Sequence, residues 1–248
     1  MKLKYLIILL LCSVLCTNAY SQRRARKQYF YTVLGGGYHQ ANASPKGLNY
    51  VIDQFNQTRN LLGNQALPNV EQPTGFSAFL GGYGYLGNTA ILLELRYGNA
   101  GLNLDATERL PGRPSVTRNL RFNMHNLQVS LGLMGVSTEN FGFGVAVAPD
   151  LGVHLINDKS GDGEVEIINN FTFGAAFSLP VHVLFGPVML GVRPYYTLQF
   201  GTNDYTELNA SLNPATYQSN PAEEQMSNLN YFGLEFRLGI VLGKRERR

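Results

Sequence analysis

Tryptophan is absent from this sequence, and cysteine is almost absent. The only two cysteines, Cys12 and Cys16, lie within the first 21 residues. In that segment two lysines precede an apolar run over residues 5–16, which is too short for a spanning helix of roughly 20 residues. This layout predicts a cleaved signal peptide over residues 1–21 and an exported protein. Residues 22–248 then have no thiol for a disulfide, a metal site or a nucleophile.

Charged side chains are also few, at 15% of the residues. The formal net charge of +3 falls to +1 when Lys2 and Lys4 leave with the predicted signal peptide. Nucleic-acid-binding proteins generally present basic patches, so this composition indicates no nucleic-acid partner. Removing 21 of the 248 residues leaves 227, a length that suits a single barrel domain.

Apolar and polar side chains alternate with a two-residue period through most of residues 22–248. Near the C-terminus apolar residues fill every second position: Phe232, Leu234, Phe236, Leu238, Ile240 and Leu242. The positions between them include Gly233, Glu235 and Arg237. Because successive side chains of a strand point to opposite faces, one face of this strand suits hydrocarbon and the other does not.

Eight segments are predicted as strands: 29–39, 75–86, 91–97, 127–133, 141–155, 171–185, 188–200 and 231–243. The first two are rich in glycine and tyrosine, and their alternation does not determine which face points outward. The connections alternate between short (87–88, 137–140, 186–187) and long (40–74, 98–121, 157–170, 201–228). Outer-membrane barrels alternate short periplasmic turns with long extracellular loops in this way. The sequence therefore predicts an all-β fold, an eight-stranded antiparallel up-and-down transmembrane β-barrel.

Aromatic residues near the predicted strand ends are typical of membrane interfaces. They are Phe141, Phe143 and Phe185 on the periplasmic side, and Tyr97, Phe171, Phe173, Tyr196 and Phe200 on the other. A secreted sandwich or a lipocalin-like barrel, with the apolar face pointing inward, is the alternative that periodicity alone leaves open. Pro149, Pro180 and Pro194 fall inside predicted strands, so bulges or register changes are expected there.

These strands, with a leader whose predicted cleavage point lies in the Ser21-Gln22 pair, resemble the small eight-stranded outer-membrane barrels of the OmpA, OmpX and OmpW type, particularly their Bacteroidota versions. The resemblance covers nearly all of residues 22–248 and depends on architecture and periodicity. It implies an integral protein of the cell outer membrane, and no catalytic or binding residue carries over from it. Many of those barrels end in an aromatic residue, whereas this chain continues past Leu242 into Gly-Lys-Arg-Glu-Arg-Arg.

Six charged residues fall on the predicted inner faces: Glu94, Arg96, Asp150, Arg193, Glu235 and Arg237. The lumen of an eight-stranded barrel is too narrow for an open aqueous channel, and unpaired buried charges are costly. Arg193 and Glu235 are expected on adjacent strands, and Glu94 and Arg237 at comparable height. The sequence thus predicts a paired lumen charge network, which either stiffens a polar core or opens as a gated ion path.

The first long connection has apolar residues near helical spacing: Leu48, Val51, Ile52, Phe55 and Leu62. They predict a short amphipathic helix over residues 48–62. This helix either folds over the barrel mouth or presents a docking surface to another envelope protein.

Residues 158–166 match the first half of a calcium-binding loop, with candidate ligands Asp158, Ser160, Asp162 and Glu164. Asn169 stands where such a loop has a bidentate glutamate, so a glycine-rich hairpin tip is the main interpretation. No other metal site and no cofactor are predicted.

Catalysis needs a nucleophile or base with an orienting partner, and the four histidines His39, His125, His154 and His182 are scattered. The predicted function is therefore non-enzymatic. The chain is expected to be a structural or accessory barrel that contacts outer-membrane lipid and, through its extracellular loops, another envelope protein. The alternatives are a small passive channel and a lipid-modifying enzyme, which would place a histidine beside a serine or carboxylate near the outer rim.

Overall fold

The computed structural model of the chain describes residues 28–61, 65–86, 89–108, 116–138, 140–160, 165–216, 218 and 221–247. Strands dominate this part of the chain, and the helices lie in two of the connections between strands. None of the helices in the described ranges is long and apolar enough to cross a membrane.

Within the described residues, eleven strands, two α-helices and one short 3-10 helix follow each other along the chain. They are β1 (Gln28–Ala43), α1 (Lys46–Thr58), β2 (Thr74–Leu86), β3 (Thr89–Glu108), β4 (Val116–Thr138), β5 (Phe141–Asp158), β6 (Val165–Ser178), β7 (Val181–Phe185), β8 (Val188–Phe200), β9 (Asn203–Asp204), α2 (Thr206–Leu212), the 3-10 helix (Ala222–Gln225), β10 (Met226–Ser227) and β11 (Tyr231–Arg247).

The long strands close into a ring. β1 pairs with β2 on one side and with β11 on the other, and β11 also pairs with β8. β6 and β7 together hold one place between β5 and β8, so eight antiparallel positions complete the circle. A closed ring leaves no free sheet edge within the membrane. The predicted eight-stranded up-and-down barrel is confirmed.

The outer wall of the barrel is an apolar belt. On β11 the six apolar side chains from Phe232 to Leu242 are 38–59% exposed, whereas Glu235 and Arg237 between them are buried. The ten residue steps from Phe232 to Leu242 rise about 3.3 Å each. At a strand tilt near 40° they span roughly 25 Å, the height of the apolar band of an outer-membrane barrel. The inverted soluble arrangement does not agree with these faces.

The outward faces of the first two strands, which the sequence left open, are now assigned. Phe30 and Leu34 of β1 point outward, as do Phe76 and Leu80 of β2. Most of the predicted interfacial aromatic residues also face outward. Tyr97, Phe171, Phe173, Tyr196, Phe200 and Phe185 are exposed, and Phe141 and Phe143 are half-buried.

Two of the predicted long loops are largely strands, which corrects the loop bounds 98–121 and 157–170. β3 and β4 stay paired up to Glu108 and Val116, and β5 and β6 up to Asp158 and Val165. Beyond the belt the polarity of the two faces reverses. Inward positions become apolar (Ala100, Leu104, Ala106, Leu120, Phe122), and outward positions become polar (Asn99, Asn103, Asp105, Arg121). These hairpins therefore rise out of the hydrocarbon region and enclose an apolar core.

The expectation of register changes at the three prolines is wrong. β5 keeps one register against β6 and β7 on both sides of Pro180, where only the strand itself is interrupted. Pro149 and Pro194 also sit in continuous registers with β6 and β11, respectively. The carbonyl oxygens of Pro180 and Pro194 still accept hydrogen bonds from Gly144 and Leu179, each at 2.9 Å. Neighbouring strands on both sides therefore hold the register although the proline nitrogen donates nothing.

The belt makes a prediction that depends on depth. Replacing Phe236, near mid-belt on β11, by arginine is expected to cost about 2–4 kcal/mol of folding free energy in lipid. The matched control is Phe232→Arg at the belt edge, where the cost falls to about 0–1 kcal/mol. The measurement is the denaturant midpoint in vesicles, with the heat-dependent gel shift as the readout of the folded fraction. Equal costs at both positions would contradict the assigned membrane depth.

Candidate functional site in the barrel lumen

Glu235 lies at the centre of a charge cluster inside the barrel. Its Oε2 accepts a hydrogen bond from Arg96 Nε at 2.9 Å, and Arg193 Nη1 lies 3.6 Å from the same oxygen. Its Oε1 accepts a hydrogen bond from Ser77 Oγ at 2.6 Å, with Arg237 Nε 3.6 Å away. One carboxylate on β11 thus holds three guanidinium groups from β3, β8 and β11 itself.

Glu94 of β3 is the second acidic centre of this cluster. Arg237 Nη2 donates to Glu94 Oε2 at 2.6 Å, and Arg193 Nη1 lies 3.7 Å from Oε1. Arg237 also places its guanidinium 3.6 Å from the centre of the Phe79 ring. Arg193 and Arg237 therefore bridge the two glutamates, and the structure brings together both pairs that the sequence placed at similar heights.

Asp150, the sixth predicted member, joins the cluster through amides. Its Oδ1 accepts hydrogen bonds from Gln128 Nε2 at 2.7 Å and from Asn126 Nδ2 at 3.3 Å. Gln128 Oε1 in turn accepts a hydrogen bond from Arg193 Nη2 at 3.1 Å. Sequence reasoning missed Ser77, Asn126 and Gln128 because it searched for charge. The signal that could have identified them is their position on the inward face of the two-residue alternation.

The five charged residues of this cluster are at most 5% exposed: Glu94, Arg96, Arg193, Glu235 and Arg237. Moving charges out of water carries a large desolvation cost, which the mutual attraction of buried pairs offsets only when the geometry is good. Removing one partner is therefore much more damaging than replacing the whole cluster by apolar residues would be. We call these five residues the lumen charge cluster.

An apolar layer fills the lumen on the side of the short turns. Its buried members include Tyr31, Phe79, Tyr83, Met134 and Met189. The rings of Tyr31 and Tyr83 stack with centres 4.9 Å apart. The lumen charge cluster thus lies above a packed hydrophobic layer.

A third group of side chains fills the lumen above the charge cluster. His39 Nδ1 lies 2.9 Å from the Tyr195 hydroxyl, and its Nε2 lies 2.8 Å from the Asn99 carbonyl oxygen. The Tyr195 ring packs edge-on against the Tyr231 ring, with centres 6.1 Å apart. These contacts carry the packing up to the outer mouth, the end of the barrel that bears α1 and α2.

The histidines contact neutral groups. His182 Nε2 lies 3.2 Å from the Tyr31 hydroxyl, His154 Nε2 lies 3.1 Å from Gln199 Nε2, and His125 Nδ1 lies 2.8 Å from the Tyr97 hydroxyl. With His39, the four histidines thus have tyrosine, glutamine and backbone partners. The alternative of a lipid-modifying enzyme requires a histidine beside a serine or a carboxylate, and these contacts do not include such a pair.

Helix α1 folds over the outer mouth. Its residues Leu48, Val51, Ile52 and Phe55 are 0–1% exposed. They belong to one apolar core with α2 and the raised hairpins, whose members include Leu208, Leu212, Leu104, Phe122 and Ile156. We call this part of the molecule the cap. The alternative of a docking surface made by these four side chains does not agree with their burial, and Leu62 lies outside the described residues.

Buried amides tie the parts of the cap together. Asn213 Nδ2 donates to Asn209 Oδ1 at 2.8 Å, and Asn209 Nδ2 donates to Gln225 Oε1 at 3.1 Å. Arg59, just after α1, donates to the carbonyl oxygen of Leu212 at 2.8 Å. These contacts link α1, α2 and the 3-10 helix, so the cap is a folded unit.

The calcium hypothesis concerns residues that the structure describes only in part. Asp158 Oδ2 accepts a hydrogen bond from Arg118 Nη1 at 2.6 Å, and Asp158 Oδ1 accepts one from the Ser160 backbone nitrogen at 2.8 Å. Asp162 and Glu164 lie outside the described residues. Within the described ranges, no group of three or more histidine, cysteine or acidic side chains is arranged to hold a metal. Asp158 thus pairs with an arginine on the neighbouring strand.

The closed ring, the apolar outer belt and the filled lumen define a transmembrane β-barrel of the small outer-membrane class. No protein-family model and no curated protein match the sequence. Among solved structures, the chain is similar to Ail, the attachment invasion locus protein of Yersinia pestis, at 7% identity and a TM-score of 0.46, covering 88% of this chain and 100% of that one. It is also similar to Neisserial surface protein A at 9% identity and a TM-score of 0.43, covering 85% and 96%. Both are small outer-membrane barrels.

Proposed function

We propose that this protein is a non-enzymatic, non-conducting integral protein of the outer membrane, in which the barrel anchors an extracellular cap. The observation that carries the proposal is the filling of the lumen at three heights. An apolar layer, the lumen charge cluster and the His39–Tyr195–Tyr231 group follow one another, and the cap covers the outer mouth.

A structural or accessory role follows from this design. The large apolar side chains of α1 and α2 lie in the core of the cap, so the surface that the cap helices offer to another envelope protein is polar. Exposed members of that surface are Asp53, Gln57, Glu207 and Glu223. Partner contact is therefore proposed for this polar surface and not for the apolar face of α1.

A passive channel is the second candidate, because the lumen charge cluster forms a polar layer whose arginines could exchange carboxylate partners. The apolar layer below it and the cap above it argue against a continuous water path. A polar layer enclosed between two packed layers is expected to stiffen the barrel rather than to pass ions.

Conductance in planar lipid bilayers tests this proposal. The wild-type protein is expected to leave the current at the level of the bare lipid. The double variant Phe79→Ala with Tyr83→Ala removes two rings from the apolar layer and is expected to admit transient current. Stable, reproducible conductance steps in the wild type would overturn the non-conducting assignment.

A further inference from the structure

Gln199 lies at the junction between the barrel and the cap, and its amide joins both ends of the connection that carries α2. Its Oε1 accepts hydrogen bonds from Asn203 Nδ2 and from the Leu229 backbone nitrogen, each at 3.3 Å. Its Nε2 lies 3.1 Å from His154 Nε2. Gln199, Asn203 and His154 are 3–4% exposed, and Leu229 is fully buried. We call these four residues the latch.

The latch also reaches α1. Asn203 Nδ2 donates to the carbonyl oxygen of Ser227 at 3.4 Å, and the Ser227 hydroxyl oxygen accepts a hydrogen bond from the Gly47 backbone nitrogen at 3.0 Å. Gly47 lies in the first turn of α1, where a Cβ atom would stand only 2.8 Å from the carbonyl oxygen of Gln225. The helix therefore packs directly on the backbone that the latch holds.

The Leu229 backbone nitrogen fixes the positions of the protons in the latch. A backbone nitrogen can only donate, so the Gln199 atom that faces it is the amide oxygen. The other end of that amide is a donor, and its partner His154 Nε2 must therefore be an acceptor. The imidazole of His154 is thus neutral in the closed latch, with its proton on Nδ1.

A second proton on His154 conflicts with this arrangement. A protonated imidazole donates at both nitrogens, so two donors would face each other between His154 and Gln199. Turning the Gln199 amide over would relieve that contact, but its nitrogen would then face the donors of Asn203 and Leu229. In either orientation, buried donors that hold the connection of α2 lose their acceptor, which is costly.

The side chains that surround His154 are uncharged. Directly opposite it in the sheet stand Met124 on β4 and Asn170 on β6, and cross-strand partners share a face. The centre of the Phe122 ring lies 6.3 Å from the centre of the imidazole. Asn203 contacts the imidazole from the connection of α2. None of these neighbours can act as a counter-ion for a protonated ring.

The acidic side chains on the adjoining parts of the chain have other positions and partners. Asp150 lies four residues before His154 on β5, roughly 13 Å away along the strand, and binds the lumen amides. Asp158 lies four residues after it and pairs with Arg118. Asp204 is exposed. A charge on His154 would therefore remain buried and unpaired, which is strongly unfavourable.

His154 lies above the belt, three residues beyond Leu151, the last exposed large apolar residue of β5. Burial lowers the pKa of its imidazole from 6.5 to about 4, and a hydrogen bond with Asn203 opposes part of that effect. The closed cap thus binds a proton more weakly than an opened cap does. Its stability is therefore full above pH 6.5 and falls as the pH drops toward 4.

We propose that the latch is an acid-sensitive closure, in which protonation of His154 releases α1 and α2 from the barrel mouth. The cap then responds to the pH of the medium outside the cell, while the barrel stays folded in the membrane. This inference rests on the proposed function, because it takes the cap to be the cover of the outer mouth.

The test is limited proteolysis of the full chain in vesicles at pH 7.5 and at pH 5. Each cleavage rate is divided by that of an unstructured peptide at the same pH. The cap is expected to be cleaved about 30-fold faster at pH 5, the ratio given by pKa values of 6.5 in the open cap and about 4 in the closed cap. The heat-dependent gel shift of the barrel is expected at both pH values. Equal relative rates would overturn the proposal.

A pair of variants assigns the effect to His154. His154→Gln keeps an acceptor for the Gln199 amide but does not titrate, so the acceleration at pH 5 is expected to disappear. The matched control is His39→Gln, which removes another buried histidine, one whose nitrogens contact Tyr195 and Asn99. This control is expected to keep the acceleration. Acceleration that survives in His154→Gln, or that is lost in His39→Gln, would overturn the proposal.

Gln199→Glu decides the matter if His154→Gln loosens the cap at pH 7.5 as well. A carboxylate at position 199 accepts from Leu229 and from a protonated His154 together, so the cap is expected to stay closed at pH 5. Opening of this variant at pH 5 to the wild-type extent would contradict the latch. A wild-type cap that is cleaved as fast as the peptide already at pH 7.5 would instead contradict the proposed function.

Discussion

Replacing Glu235 by alanine is expected to lower the free energy of unfolding by about 3–5 kcal/mol, the usual cost of breaking a buried ion pair by removing one partner. Glu235 holds Arg96 at 2.9 Å and lies within 3.6 Å of Arg193 and Arg237. Without it, Arg193 and Arg237 keep only Glu94 at close range, and Arg96 loses the carboxylate that it contacts. The measurement is the denaturant midpoint of the barrel in vesicles, read from the gel shift between folded and unfolded bands.

Two further variants separate the charge effect from a general loss of packing. Removing Arg96 as well, in Glu235→Ala with Arg96→Ala, takes away one uncompensated charge and is expected to recover part of the loss, as coupled neighbours do. Glu223→Ala on the exposed 3-10 helix should change stability by less than about 0.5 kcal/mol. If Glu235→Ala is as mild as Glu223→Ala, the lumen charge cluster does not stabilise the barrel as argued.

Phe55→Ala is expected to open the cap while the barrel stays folded. Phe55 is buried in the cap core, and removing a buried phenylalanine side chain typically costs about 3–5 kcal/mol. Because cleavage of an opened segment follows its equilibrium population, limited proteolysis should become roughly 100-fold faster or more. The cleavage sites are expected in 44–73 and 201–230, the two connections that contribute the helices of the cap.

The control for this variant is Gln57→Ala, on the exposed side of the same helix. It should leave the cleavage rate unchanged, and both variants should keep the heat-dependent gel shift of the barrel. Loss of that shift in Phe55→Ala would show that cap and barrel fold as one unit. An unchanged cleavage rate would show that Phe55 does not hold the cap closed.

The fold could be predicted from the sequence because a two-residue period records the solvent on each face of a strand. Along β11 the apolar set from Phe232 to Leu242 faces outward, as the alternation indicated. The raised hairpins were missed because their apolar positions change parity. Odd positions are apolar from Ile91 to Tyr97, and even positions from Ala100 to Ala106. That change marks the point where a strand leaves lipid and its inner face becomes a core.

The candidate site was predictable in part for the same reason. Alternation fixed the inward face, so Glu94, Arg193, Glu235 and Arg237 could be assigned to the lumen before their contacts were known. The partners of Asp150 could not be predicted, because they depend on the stagger between strands that closes the barrel. Uncharged amides such as Gln128 donate hydrogen bonds to Asp150. Nothing in their residue type distinguishes these amides from amides that face solvent.

The most direct test of the account is a cysteine scan along β11. Cys12 and Cys16 are the only cysteines of the sequence, so both are replaced by serine, and single cysteines at positions 232–242 are labelled with a fluorophore in vesicles. A quencher attached to the lipid chains is expected to quench labels at even positions strongly and labels at odd positions weakly. The opposite alternation, or quenching at no position, would contradict a lipid-facing belt around a filled lumen.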